Sequence, residues 1–508
     1  MICGLLFSSA QAQANPIYQN LPVGKYAVGF KIFTITDETR IEKPEYNYFG
    51  EKNEGDRTKK LTVHLWYPVQ ANSGKGTLTY GDYCYNNLLL NTNETIDASR
   101  KESEIGGRRR STENWFGKTT DEAWKKLLEA SMLGRAEAAP ADGKFPLLIG
   151  MLRSLSTSVI NEVLASNGYV VAMIEDRART AAFNEAALLE IPDMQFTLTY
   201  LEKNTNIDAA NLGTFGFSGS GFSQVLFAMY DPRVKAVADI ESGIYMDNLY
   251  QNFAASDYYR PEKLRAPFLH IFSRDLSKQE KFFSDFESKT KFATRYRVLL
   301  NQPALHHWDF ASEGFTSTIF LNNRGEQSDN IRQSFEIASV YLLNFFNAEL
   351  KADAHAKTFL SAKPSLPNTA SALWDFTSYA ALQPAPDQEA FEYMIQKKGM
   401  DEAVALVRRT IKEDTLTNLY EWYILNGMGY GYLNQQKYKE AISIFKLNTE
   451  LHPNDPNLFD SLAEAYELSG DKESMKTASV MQMEILNKKD SLSEFEKGLK
   501  TNAEKRLK

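Results

Sequence analysis

The chain has 508 residues, 43% of them hydrophobic and 12% aromatic, and a formal net charge of −8. That length points to about two to four domains with ample core material. The acidic balance excludes nucleic acid as an expected partner: the largest basic cluster, Arg108-Arg109-Arg110, is short and reads as a solvated loop.

Residues 1–14 read as a signal peptide with a shortened start. An apolar run, Ile2 to Phe7, leads to small residues ending Ala12-Gln13-Ala14, and the basic n-region is absent. The expected location is secreted or periplasmic. Cleavage after Ala14 would leave Cys84 as the one cysteine, with no internal disulfide. No later run is long and apolar enough to suggest a transmembrane span.

Two β-type runs follow, Tyr26–Ile32 and Leu61–Tyr67, the second alternating well before Pro68. Residues 86–143 are polar and charged, with a helical stretch from Ala123 to Leu133. They read as an insertion, a lid or flap over a site. From residue 145 apolar runs of strand length alternate with helical stretches. The strands are Leu147–Ile149, Val170–Ile174, Leu212–Phe217, Ala236–Ile240, Pro267–Phe272 and Tyr296–Leu300. The helices are expected near 156–166, 182–203, 220–230, 279–289 and 331–347. That alternation predicts an α/β fold, a mostly parallel sheet with helices on both faces. Residues 361–387, with Pro364, Pro367, Pro384 and Pro386, read as a linker or strap.

The chemical signal is Gly213-Thr214-Phe215-Gly216-Phe217-Ser218-Gly219-Ser220-Gly221. A serine at a strand-to-helix turn with small neighbours is a nucleophile elbow: strain exposes the hydroxyl, and small residues let strand and helix approach. The N–H of Gly219 is then the expected oxyanion donor. A serine nucleophile needs a base and an orienting carboxylate, in the chain order Ser, acid, His. His64 and His452 are excluded by order or domain, His355 follows the last helix, and His270 reads as a buried structural histidine within a strand. His306 and His307 remain, after the last strand. Asp275 follows the strand ending at Phe272 and is the preferred acid; Glu241, just past Ile240, is the alternative. The histidines are too few and too scattered for a ligand cluster, so no metal and no cofactor are expected.

Residues 20–360 resemble the bacterial α/β-hydrolases related to dienelactone hydrolase and the platelet-activating-factor acetylhydrolase group. The resemblance rests on Leu21-Pro22-Val23-Gly24-Lys25-Tyr26, Leu65-Trp66-Tyr67-Pro68, Ala165-Ser166-Asn167-Gly168-Tyr169, Asp231-Pro232-Arg233-Val234 and the closing helix from Tyr341 to Asp353. It implies an α/β-hydrolase fold and hydrolysis of a carboxylic ester through an acyl-serine intermediate, with a small-molecule ester as substrate. The His-x-Asp-Phe run from His307 to Phe310 resembles the family's catalytic loop, which favours His307 over His306. Three departures stand out. Phe217 replaces the histidine common before the nucleophile and becomes a candidate substrate contact. Ser220 replaces glycine. Met151-Leu152-Arg153-Ser154-Leu155 stands where the family carries a His-Gly pair, leaving Ser154 as the candidate second oxyanion donor and Arg153 as a candidate ligand for an anionic substrate group.

The C-terminal quarter, after the linker, is helical in pattern. Trp422, Leu425, Gly429, Tyr432, Ala441, Phe445 and Pro453 match a tetratricopeptide-type pattern, and Phe459 and Tyr466 repeat Leu425 and Tyr432 at the expected 34 residues. Residues 388–418 read as a degenerate first unit, so the repeats span 388–487, with a charged tail at 488–508 that is a capping helix or disordered. Such repeats resemble protein-interaction modules, and intramolecular packing is the other reading. Two further functions stay open, a non-catalytic scaffold acting through the repeats and a serine peptidase of related fold.

Overall fold

The apolar runs of the first 380 residues assemble into one sheet. A computed structural model describes residues 15–70, 73–89, 98–136, 138–152, 156–175, 183–205, 207–244, 247–273, 280–302, 305–321, 324–367, 369–413 and 420–508. Its strands are β1 (Ala27–Ile41), β2 (Thr58–Val69), β3 (Lys75–Thr79), β4 (Ser131–Ala136), β5 (Phe145–Leu152), β6 (Val170–Glu175), β7 (Ile207–Phe217), β8 (Val234–Ile240), β9 (Phe268–Ser273), β10 (Arg295–Leu300) and β11 (Trp374–Tyr379). They lie in the order β11-β10-β9-β8-β7-β5-β6-β2-β1-β4-β3. β6, β5, β7, β8, β9 and β10 pair in parallel. β1 and β2 join them through antiparallel pairings. An antiparallel start, a move to β5, a step outward to β6 and a return across β5 to β7, with β8 to β10 following in succession, is the α/β-hydrolase order, and this is the fold of the first unit.

The sheet is buried on both faces, which is why its central strands are nearly continuous apolar runs. Along β5, Leu147, Ile149 and Met151 join a core with the helices Phe183–Asn204 and Gly219–Tyr230. Leu148 and Leu152 point the other way, into a core with the helices Ser158–Ser166 and Ser328–Leu350. The chain steps from β5 outward to β6 and then back across to β7, so the C-terminal ends of β5 and β7 flank a topological switch point, where open α/β sheets bind ligands.

The structure departs from the sequence expectations in three places. The helix expected over 123–133 ends at Glu129: Thr120 caps its start, and Ser131–Ala136 leave to pair with β1 and β3. The insertion also contains a helix over Ala98–Phe116. The β4 segment of the insertion is pinned by Glu162, a fully buried carboxylate that accepts hydrogen bonds from the hydroxyls of Tyr18 and Tyr83 and from the N–H groups of Leu133 (3.0 Å) and Gly134 (2.7 Å). In the stretch read as a linker, Trp374–Tyr379 instead form β11, an edge strand antiparallel to β10. Buried Trp374 anchors it, its indole N–H donating to the Tyr341 hydroxyl at 3.0 Å.

Contacts divide the chain into two units, Met1–Ala381 and Leu382–Lys508. The second is all helical. Helices beginning at Trp422 and Tyr438 recur at Pro456 and Lys472, the 34-residue spacing seen in the sequence. Gly429 fits because a Cβ there would lie 2.4 Å from the Phe445 ring. The charged tail forms a helix over Glu494–Leu507 that buries Leu499 and Ala503 and sets Arg506 against Asp460 at 2.7 Å.

Candidate active site

β7 ends in the elbow. Ser218 follows Phe217 with φ 57° and ψ −139°, a left-handed conformation unusual for a residue with a side chain. Backbone bonds hold it: the Ser218 N–H donates to the Ile240 carbonyl at 2.9 Å, and its carbonyl accepts the Gly221 N–H at 2.9 Å. The small neighbours have specific causes. A Cβ on Gly216 would sit 2.7 Å from the Ser220 backbone, and one on Gly221 would sit 2.6 Å from Ser242 Cβ. Ser220, where the motif expects glycine, turns its hydroxyl back to the Phe217 carbonyl at 2.7 Å and is accommodated. Gly219 is the first residue of the following helix, so its N–H belongs to the set with no intrahelical partner.

His307 approaches from the loop after β10. Its Nε2 lies 2.8 Å from Ser218 Oγ, although the two residues are 89 apart in sequence. The imidazole stacks on Phe217, centroids 4.9 Å apart. The loop is shaped by Asp309, which is buried, accepts the His306 N–H at 2.7 Å and pairs with Arg324 at 3.0 Å. His306 is exposed, and the contact to the serine is made by its neighbour. Burial depresses the His307 pKa below the ordinary histidine value.

Between elbow and histidine loop lie the ends of β8 and β9. Glu241 is buried with φ 49°, and its carboxylate accepts the N–H and the hydroxyl of Ser273, each at 2.7 Å. His270 is buried and bonds through Nδ1 to Asp239 at 2.7 Å, as its core position suggested. Asp275, Arg153 and Ser154 lie outside the described residues. The segment after Arg153 and Ser154 is tied to the histidine side: the Ser156 carbonyl accepts the N–H of Ser312 at 2.8 Å and its hydroxyl at 3.1 Å.

Trp308, next to His307, has its ring 5.9 Å from Phe217 and 5.6 Å from Trp115 on the insertion helix. A cavity of about 90 Å³ behind this pair is lined by Tyr80, Arg108, Trp115, Trp124, Trp308 and Glu313 among others. Cys84 also faces it, and burial pushes its thiol pKa up to about 12, which favours the unreactive thiol form. A larger recess, about 860 Å³, is lined by Val28, Val69, Met132 and Arg135 and includes neither Ser218 nor His307. Sequence reasoning missed the Phe217 stacking, the Glu241–Ser273 contact and the Trp115–Trp308 pair. The signal for the last was the aromatic residues Trp115, Phe116 and Trp124 in a largely polar insertion. Among the described residues no group of three or more potential metal ligands converges, and no helix is long and apolar enough to cross a membrane.

No protein-family model matches the chain, and no curated protein matches it. Among solved structures, a ferulic acid esterase from Streptomyces cinnamoneus is similar at 18% identity, covering 70% of this chain and 97% of that one with a TM-score of 0.47.

Proposed function

We propose that the chain is a serine hydrolase that cleaves carboxylic esters through an acyl-serine intermediate. The observation that carries this reading is His307 Nε2 at 2.8 Å from Ser218 Oγ, with the serine held in the strained elbow conformation. Ser218 Oγ attacks the ester carbonyl while His307 takes its proton. The oxyanion is met by the Gly219 N–H and by a second donor from Ser154. Collapse of the tetrahedral intermediate breaks the bond to the alcohol oxygen, which leaves with the proton from His307. Water then gives a proton to His307, attacks the acyl carbon, and the acid departs as Ser218 regains its hydrogen. Asp275 is the carboxylate that holds the histidine tautomer. Phe217 and Arg153 face the substrate, Arg153 binding an anionic group where the ester carries one.

Export through residues 1–14 and a tetratricopeptide-type role for the second unit in binding a protein partner complete the proposal. The test is turnover of p-nitrophenyl acetate by the full chain and by Ser218→Ala. The variant is expected to lose about 10⁴–10⁶-fold in kcat. Equal turnover by both forms overturns the assignment. A folded wild type that neither turns over esters nor labels with a fluorophosphonate favours the non-catalytic scaffold.

A further inference from the structure

The turn after β8 connects the two halves of the site. Asp239 Oδ1 accepts the Ser242 N–H at 3.1 Å, and Oδ2 accepts the Ser242 hydroxyl at 2.7 Å and meets His270 Nδ1 at 2.7 Å. The elbow helix packs directly on this turn, since a Cβ on Gly221 would strike both Ser242 Cβ and, at 2.8 Å, Asp239 Oδ1. Glu241 sits at its apex in a left-handed conformation that its own side chain disfavours. The Glu241 N–H donates to the Ile271 carbonyl at 2.8 Å, and its carboxylate closes on both polar groups of Ser273. Ser273 is the last residue of β9, two positions before Asp275.

We infer that Glu241 is a positioning residue: it clamps the end of β9 to the turn after β8, whose Ile240 carbonyl holds the Ser218 N–H, and thereby sets the place of the elbow. The inference rests on the serine-hydrolase reading with Asp275 as acid. A strained residue persists where surrounding bonds over-determine it, and here they join the strand that precedes the proposed acid. A carboxylate suits the clamp because it accepts twice with no donor of its own. Glutamine keeps the side-chain shape but offers one oxygen.

The experiment compares the full chain with Glu241→Gln, Ser273→Ala, the double variant, Asp275→Asn and Ser218→Ala, measuring kcat, KM and the pH profile on p-nitrophenyl acetate. Glu241→Gln and Ser273→Ala are each expected to lower kcat about 10–100-fold, with KM within about twofold. The double variant is expected to be no worse than the poorer single one, because both break one contact. The acid limb of the profile should stay in place. Asp275→Asn should fall much further, about 10⁴-fold. The inference is overturned if Glu241→Gln equals that larger loss and moves the acid limb, which makes Glu241 the acid itself. It is also overturned if the single variants leave kcat unchanged or act additively. Ser273→Ala carries the test if Glu241→Gln does not fold. Full activity in Ser218→Ala would instead sink the underlying reading, a separate result.

Discussion

In the proposed mechanism His307 must be neutral to accept the Ser218 proton, and its burial favours that form by depressing its pKa. The sign follows: a base whose pKa lies below 6.5 stays competent as pH falls towards that lower value. The acid limb of kcat/KM for p-nitrophenyl butyrate is therefore expected to have its half-point below 6.5, read by pH-stat titration. A half-point at or above 6.5 would mean that a neighbouring carboxylate outweighs desolvation at the ring. The elbow was legible in the sequence because its constraint is steric and local: Gly216 cannot carry a Cβ, and that necessity is written in the residue itself. The separation of His307 from His306 was not local. It depends on Asp309 bonding back to the His306 N–H and on the Phe217 ring, and Phe217 is 90 positions from His307 in the chain.

Among the elements, the insertion holds the least readable part of the fold. Its polar sequence suggested a flap, but its anchor lies outside it, on the helix Ser158–Ser166. A glutamate inside Ser158-Val159-Ile160-Asn161-Glu162-Val163 looks like an exposed helix position. Its burial becomes sensible only when Tyr18 and Tyr83, 144 and 79 residues away, bring hydroxyls to it. Strand β11 hid for a related reason: the prolines around it signalled a linker, while the apolar alternation of Trp374 and Phe376 spoke for a strand. Burial raises the Glu162 pKa, and its four hydrogen-bond donors work against that rise. Removing the carboxylate strands four donors at once, three of them in buried bonds. Glu162→Ala is expected to destabilise the first unit by about 2–4 kcal/mol, and Glu162→Gln by less, since the amide oxygen still accepts. Urea unfolding followed by tryptophan fluorescence measures both; equal midpoints for wild type and Glu162→Ala would show that the network contributes nothing.

On the scale of the whole chain, two units with different logic share one sequence. In the first, Ser218 and Glu241 hold positive-φ conformations that their side chains disfavour, and the sheet around them supplies the rigidity that keeps them there. In the second, every helix pair buries its apolar face on the next, so stability is the sum of similar interfaces. The 34-residue recurrence made that unit readable, because a repeat states its packing more than once. Gly429 tests the separation. A side chain there meets the Phe445 ring well inside contact distance, and the ring is fully buried, with Leu433 and Ala463 in the same cluster. Gly429→Val is expected to overpack that interface and weaken the second unit by about 1–3 kcal/mol, lowering its own transition in calorimetry. Ester turnover at 25 °C should be unchanged, since the Ser218–His307 pair lies within the first unit. A parallel fall in kcat would mean that the helical unit supports the hydrolase directly, and the two would then have to be treated as one cooperative machine.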